Sequence, residues 1–72
     1  MPDELVEIYV DMVLKETQVG SEKHGAILCE IDDRQEWIPK SVLDDASEVR
    51  RPGDGNGVIV IPEKLAIEKE LV

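Results

Sequence analysis

The stretch Ala26-Ile27-Leu28-Cys29-Glu30-Ile31-Asp32-Asp33-Arg34-Gln35-Glu36-Trp37-Ile38-Pro39-Lys40-Ser41 decides the fold. An apolar run rich in β-formers enters a polar tetrapeptide and leaves through the only tryptophan. Two antiparallel strands joined by a tight connection have this pattern. Asp32-Asp33-Arg34-Gln35 is the turn, since Asp side chains accept hydrogen bonds from backbone amides two residues on. On the incoming strand, from about Lys23 to Asp32, Gly25, Ile27, Cys29 and Ile31 share one face, and Ala26, Leu28 and Glu30 share the other. Apolar residues on both faces predict a central strand. Glu36-Trp37-Ile38 returns, and Pro39, which cannot donate to a ladder, ends the strand or places it at an edge.

Upstream, Val6, Ile8, Val10, Met12 and Leu14 occupy alternate positions, with Glu7, Tyr9, Asp11, Val13 and Lys15 between them. This period of two predicts one long strand over Leu5–Thr17, bent or bulged as barrel strands are. The rival is a helix started by Pro2-Asp3-Glu4, since Leu5, Ile8, Tyr9, Met12 and Val13 also recur at helical spacing. The five even positions make the cleaner face, so the strand is preferred.

Downstream, Lys40-Ser41-Val42-Leu43-Asp44 reads as a single helical turn, with Ser41 and Asp44 at capping-box spacing. Ser47-Glu48-Val49-Arg50 reads as another short strand. The sequence from Arg51 to Gly57 holds Asp-Gly and Asn-Gly, both strong reversal signals. Val58-Ile59-Val60-Ile61 is a buried strand, and Pro62 stands at the first position of a closing helix over Lys64–Leu71. Five short strands and a terminal helix, with reversals every 8 to 15 residues or so, indicate a mainly β domain. The expected form is a small antiparallel barrel or half-barrel, SH3-like or OB-like.

Seventy-two residues make a single domain, 1–72. With one Trp, one Tyr and no Phe, its core must be built from Val, Ile, Leu and Met. Such a core supports a stability of at most about 5 kcal/mol, and homo-oligomer formation is one way to bury more. The net charge of −9 disfavours non-specific binding to nucleic acid or to an anionic membrane. No run approaches the roughly 18 apolar residues of a membrane span, so a cytoplasmic protein is expected.

The chemical motifs are weak. His24 and Cys29, five apart on one strand, point to opposite faces and make no metal site. Counting an EF-hand from Asp54 puts Leu65 where the bidentate Glu belongs, and no Gly-Lys-Ser/Thr follows for a phosphate loop. Asp32-Asp33 and Asp44-Asp45 are adjacent pairs whose side chains diverge, which is unsuited to general acid–base work. No serine lies in a nucleophile motif. The expectation is a non-enzyme with no cofactor and no metal. What remains is Trp37, Lys40 and Ser41, joined by Arg50 and Arg51, as a cationic and aromatic patch on an acidic body. Such a patch anchors a protein partner or, alternatively, stacks a base and pairs a phosphate.

Several words of the sequence resemble a short domain met among uncharacterised phage and prophage proteins. They are Ala-Ile-Leu-x-Glu-Ile-Asp (Ala26 to Asp32), Trp-Ile-Pro-Lys-Ser (Trp37 to Ser41) and Asp-Asp-x-Ser-Glu-Val (Asp44 to Val49). Lys15-Glu16-Thr17 and the Gly53-Asp54 loop fit it too. The resemblance implies a phage setting and no chemistry. The expected role is then a protein-binding accessory to replication, or an inhibitor of host machinery.

Overall fold

The computed structural model describes residues 4–72. Five strands form two antiparallel sheets, followed by one short helix. The strands are β1 (Leu5–Val10), β2 (Met12–Glu16), β3 (Ala26–Ile31), β4 (Arg34–Pro39) and β5 (Gly57–Pro62), and α1 spans Glu63–Glu68. β1 pairs with β5, and β2, β3 and β4 form the second sheet in that order. The central position expected for the Ala26–Ile31 strand is observed. Pro2 and Asp3 of the rival helix start lie outside the described residues, and the segment that would have continued such a helix is extended, as the preferred strand reading has it.

The opening strand is not continuous. Its direction breaks at Asp11, whose amide still donates to the Glu30 carbonyl at 2.9 Å. Before the break Ile8 and Val10 face the core; after it Val13 does, while Met12 is half exposed. The expectation that Met12 and Leu14 continue the face of Val6, Ile8 and Val10 is therefore corrected. One residue spent on the bend shifts the period of two by one and sends Met12 outward. A bulge between Val13 and Lys15 then leaves Leu14 out of register. The bend lets one chain segment serve both sheets.

The hairpin between β3 and β4 is tighter than the sequence suggests. Ile31 pairs with Arg34, so only Asp32 and Asp33 form the connection. Both have positive φ, 50° and 65°, the pattern of a type I′ turn whose twist matches the flanking strands. Strand β4 thus begins at Arg34, not Glu36. Strand β3 begins at Ala26, not Lys23, because Gly25 has φ +84° and a Cβ there would stand 2.6 Å from Thr17 Oγ1. Thr17 Oγ1 accepts the Ala26 N–H at 2.8 Å, closing the β2–β3 loop at its neck.

The inner faces of the two sheets make the core, with cross-strand neighbours side by side on each: Ile8 beside Ile59, Val13 beside Cys29, and Ile27 beside Ile38. Ile27, Ile38, Ile59, Ile61 and Val10 are fully buried, each such side chain contributing about 1.5–3 kcal/mol by its removal from water. Cys29 lies among them, and burial pushes its thiol pKa up to about 12.

Ser47–Arg50 is not a strand, yet its early residues do a strand's work. Asp44 N–H and Glu48 N–H donate to the carbonyls of Val60 and Val58, both at 2.8 Å. The Val60 and Val58 amides donate in turn to Ser47 Oγ at 2.9 Å and Glu48 Oε1 at 3.0 Å. The far edge of β5 is thereby satisfied half by backbone and half by side chains. The expected capping box is replaced: Asp44 Oδ2 accepts the Ala46 N–H instead. Lys40–Val42 form a 3-10 turn.

Pro62 is the N-cap of α1, one position earlier than expected. The helix also stops sooner than Leu71. Leu71 N–H donates to the Ala66 carbonyl and Glu70 N–H to Ile67, with Glu70 at φ 59°, which is a Schellman closure. Arg34 secures it by donating through Nη2 to the carbonyls of Lys69 (3.2 Å) and Glu70 (2.7 Å).

Candidate functional site

The five residues expected to form one patch are not brought together. Lys40, Arg50 and Arg51 line a cleft of about 40 Å³ together with Glu16, Gly20, Ser21, Glu22 and Leu43. Trp37 is not in that cleft, and neither is Ser41, which is exposed on the 3-10 turn.

Lys40 is not the solvent-facing cation the sequence suggested. It continues the inner face of β4 two residues after Ile38, and only 4% of it is exposed. Its ammonium donates to Glu16 Oε2 at 2.7 Å and to the carbonyls of Gln18 and Ser21, both at 3.0 Å. An ammonium has three donors, and all three are used. Lys40 therefore locks the β2–β3 loop onto the end of the core and has nothing left for a phosphate.

The arginines are also constrained. Arg50 Nη2 donates to the Asp44 carbonyl at 2.7 Å and stands 3.9 Å from Asp45 Oδ1. The Arg50 and Arg51 amides both donate to Asp54 Oδ2, at 2.8 and 3.1 Å, so Asp54 organises the reversal that presents them. The Arg51 side chain is exposed. With Glu16 and Glu22 in the same wall the cleft is mixed in charge, and its volume suits a few water molecules or one small polar group.

Trp37 lies on the outer face of the three-stranded sheet. Leu28 stands directly opposite it on β3, and Lys15 stands opposite Leu28 on β2. Met12 reaches the same face through its pairing with Glu30. Trp37 is 43% and Met12 50% exposed, while Leu28 between the flanking strands is 8% exposed. The result is an apolar surface of an aromatic ring, a thioether and a leucine, with Glu30 and Gln35 at one end. The sequence reading missed Met12 and Leu28 as neighbours of Trp37. Val13, an apolar residue standing among Glu7, Tyr9, Asp11 and Lys15, was the signal that the period shifts there.

Among the described residues no group of three or more His, Cys, Asp or Glu side chains is placed to hold a metal ion. No helix among the described residues is long and apolar enough to cross a membrane. Comparison with known proteins gives no matching family model, no matching curated sequence and no matching solved structure.

Proposed function

We propose that this chain is a non-catalytic protein-interaction module that engages its partner through the Trp37 face. The observation that carries the reading is the half-exposed Trp37 on the outer face of the three-stranded sheet, a face it shares with Leu28 and half-exposed Met12. A large aromatic ring bordered by apolar and carboxylate groups is the usual anchor of a protein contact. The net charge of −9 and the commitment of Lys40 to Glu16 both weigh against nucleotide or single-stranded nucleic-acid binding, the other class of ligand for this patch. The bend at Asp11, which carries one segment through both sheets, supports a half-barrel of the SH3-like or OB-like kind. The Trp-Ile-Pro-Lys-Ser word supports a phage setting, in which such a cytoplasmic module would assist replication or block a host protein.

Capture from a bacterial lysate on immobilised protein, compared with Trp37→Ala, tests the proposal. Proteins retained by the native chain and lost from the variant are the expected result. Titration of labelled oligonucleotide at low salt should show no binding. Robust oligonucleotide binding that Arg51→Ala weakens would overturn the reading.

A further inference from the structure

We infer that the far edge of β4 receives an extended basic segment of the partner protein as an added strand. The inference rests on the interaction-module reading and names how that module binds. Among the described residues strand β4 pairs with β3 alone. The Lys40 amide donates to the Gly25 carbonyl at 3.0 Å, which fixes which residues face β3. Hydrogen-bonding pairs alternate along an antiparallel ladder, so Arg34, Glu36 and Ile38 also face β3. The main-chain groups of Gln35, Trp37 and Pro39 point the other way. Pro39 fits the ladder for that reason: its missing N–H belongs to the outward side.

The far edges of β5 and β4 are treated differently. On β5 the outward groups of Val58 and Val60 are met by Asp44, Ser47 and Glu48. On β4 no described residue supplies a hydrogen bond to the outward groups of Gln35 or Trp37. Natural edge strands are commonly guarded by lysine, a bulge or a covering loop. Here the central outward positions are Gln35 and Trp37, both exposed, and only Pro39 blunts one end. The open edge and the exposed ring lie on the same strand, so an incoming strand would gain main-chain hydrogen bonds and an apolar contact together.

Charge identifies the kind of segment. Around this edge stand Glu30, Asp32, Asp33 and Glu36. The two cations of β4 and its end are spent, Arg34 on the helix carbonyls and Lys40 on Glu16, and Lys15 stands two strands away on β2. A strand laid beside β4 would place one residue next to Trp37 and its neighbour next to Glu36, because successive side chains alternate. The pattern that fits is an apolar residue flanked by Lys or Arg. A second copy of this chain would bring another charge of −9 to the same edge, which disfavours it.

A short synthetic peptide of alternating Lys and Val, titrated at low ionic strength, tests this by Trp37 fluorescence and amide hydrogen exchange. Saturable binding should slow exchange of the Gln35 and Trp37 amides by at least about tenfold. The same peptide methylated on every amide nitrogen keeps its charge and loses its donors; it should bind at least about tenfold more weakly. Gln35→Pro removes one outward N–H without touching the β3 ladder and should weaken binding similarly. Glu36→Lys, which leaves the backbone alone, should do so through charge.

Failure of the peptide to bind, equal binding of the methylated peptide, or unchanged exchange at Gln35 and Trp37 would each overturn the inference. So would a β4-dependent dimer of the free protein in sedimentation. If lysate proteins are still lost on Trp37→Ala while those amides stay unprotected, the interaction module stands and only the added-strand mode falls.

Discussion

Replacement of Lys40 by alanine tests the most consequential structural assignment, because it removes three part-buried hydrogen bonds at once. The substitution leaves Glu16 without its cation and the Gln18 and Ser21 carbonyls without their donor. Breaking a fully buried pair by removing one partner costs about 3–5 kcal/mol. The Glu16 side chain retains 15% exposure, so water offsets part of that loss, and about 2–4 kcal/mol is expected. Against a total stability of at most about 5 kcal/mol this is a large share of what holds the chain folded. Urea unfolding followed by Trp37 fluorescence is the assay. With a slope near about 1 kcal/mol per molar for so small a domain, the midpoint should fall by about 2–4 M. The double replacement Glu16→Met with Lys40→Met should recover part of the loss by removing both charges together. A change below about 0.5 kcal/mol for Lys40→Ala would place the ammonium in solvent and refute the clamp.

Three further outcomes follow from local geometry. Asp33→Gly should raise stability by about 0.5–1 kcal/mol, several degrees in Tm, because it relieves a positive φ in the I′ turn. Gly25→Ala should cost at least about 2 kcal/mol in urea unfolding, since its Cβ would meet Thr17 Oγ1 at 2.6 Å at a φ of +84°. Cys29 should resist alkylation in the folded protein and react at the rate of global opening. The folded chain keeps the thiol proton that the unfolded chain releases near its ordinary value of 9.0. This contribution to stability is thus complete below pH 9.0 and is lost as the pH climbs toward about 12. Stability against pH for Cys29→Val, subtracted from the native curve, should show that alkaline loss and nothing on the acid side.

The sequence by itself determined the elements that rest on local pattern. The alternation in Leu5–Val10, the two-faced apolar run of β3, the hairpin at Asp32-Asp33 and the proline before the closing helix were all legible there, because side-chain period and turn chemistry act between near neighbours. Those signals also assigned a mainly β chain and located Trp37. Only Val13, apolar among polar neighbours, marked the phase shift at Asp11, whose cause is that β1 and β2 hydrogen-bond to different partners far along the chain. Local signals did not place Lys40. As a sequence symbol it is a charge beside a tryptophan; only the convergence of Glu16, Gln18 and Ser21 makes it a buried clamp.

Tertiary structure likewise decided which strand edge is closed and which is open. Ser47 and Glu48 reach Val58 and Val60 across a long loop, while no described residue does the same for Gln35 and Trp37. Local pattern fixes where a strand forms and which way its side chains alternate. The hydrogen-bonding of its two edges is a long-range property, set by which distant segments are brought alongside, and the surface open to a partner is set with it.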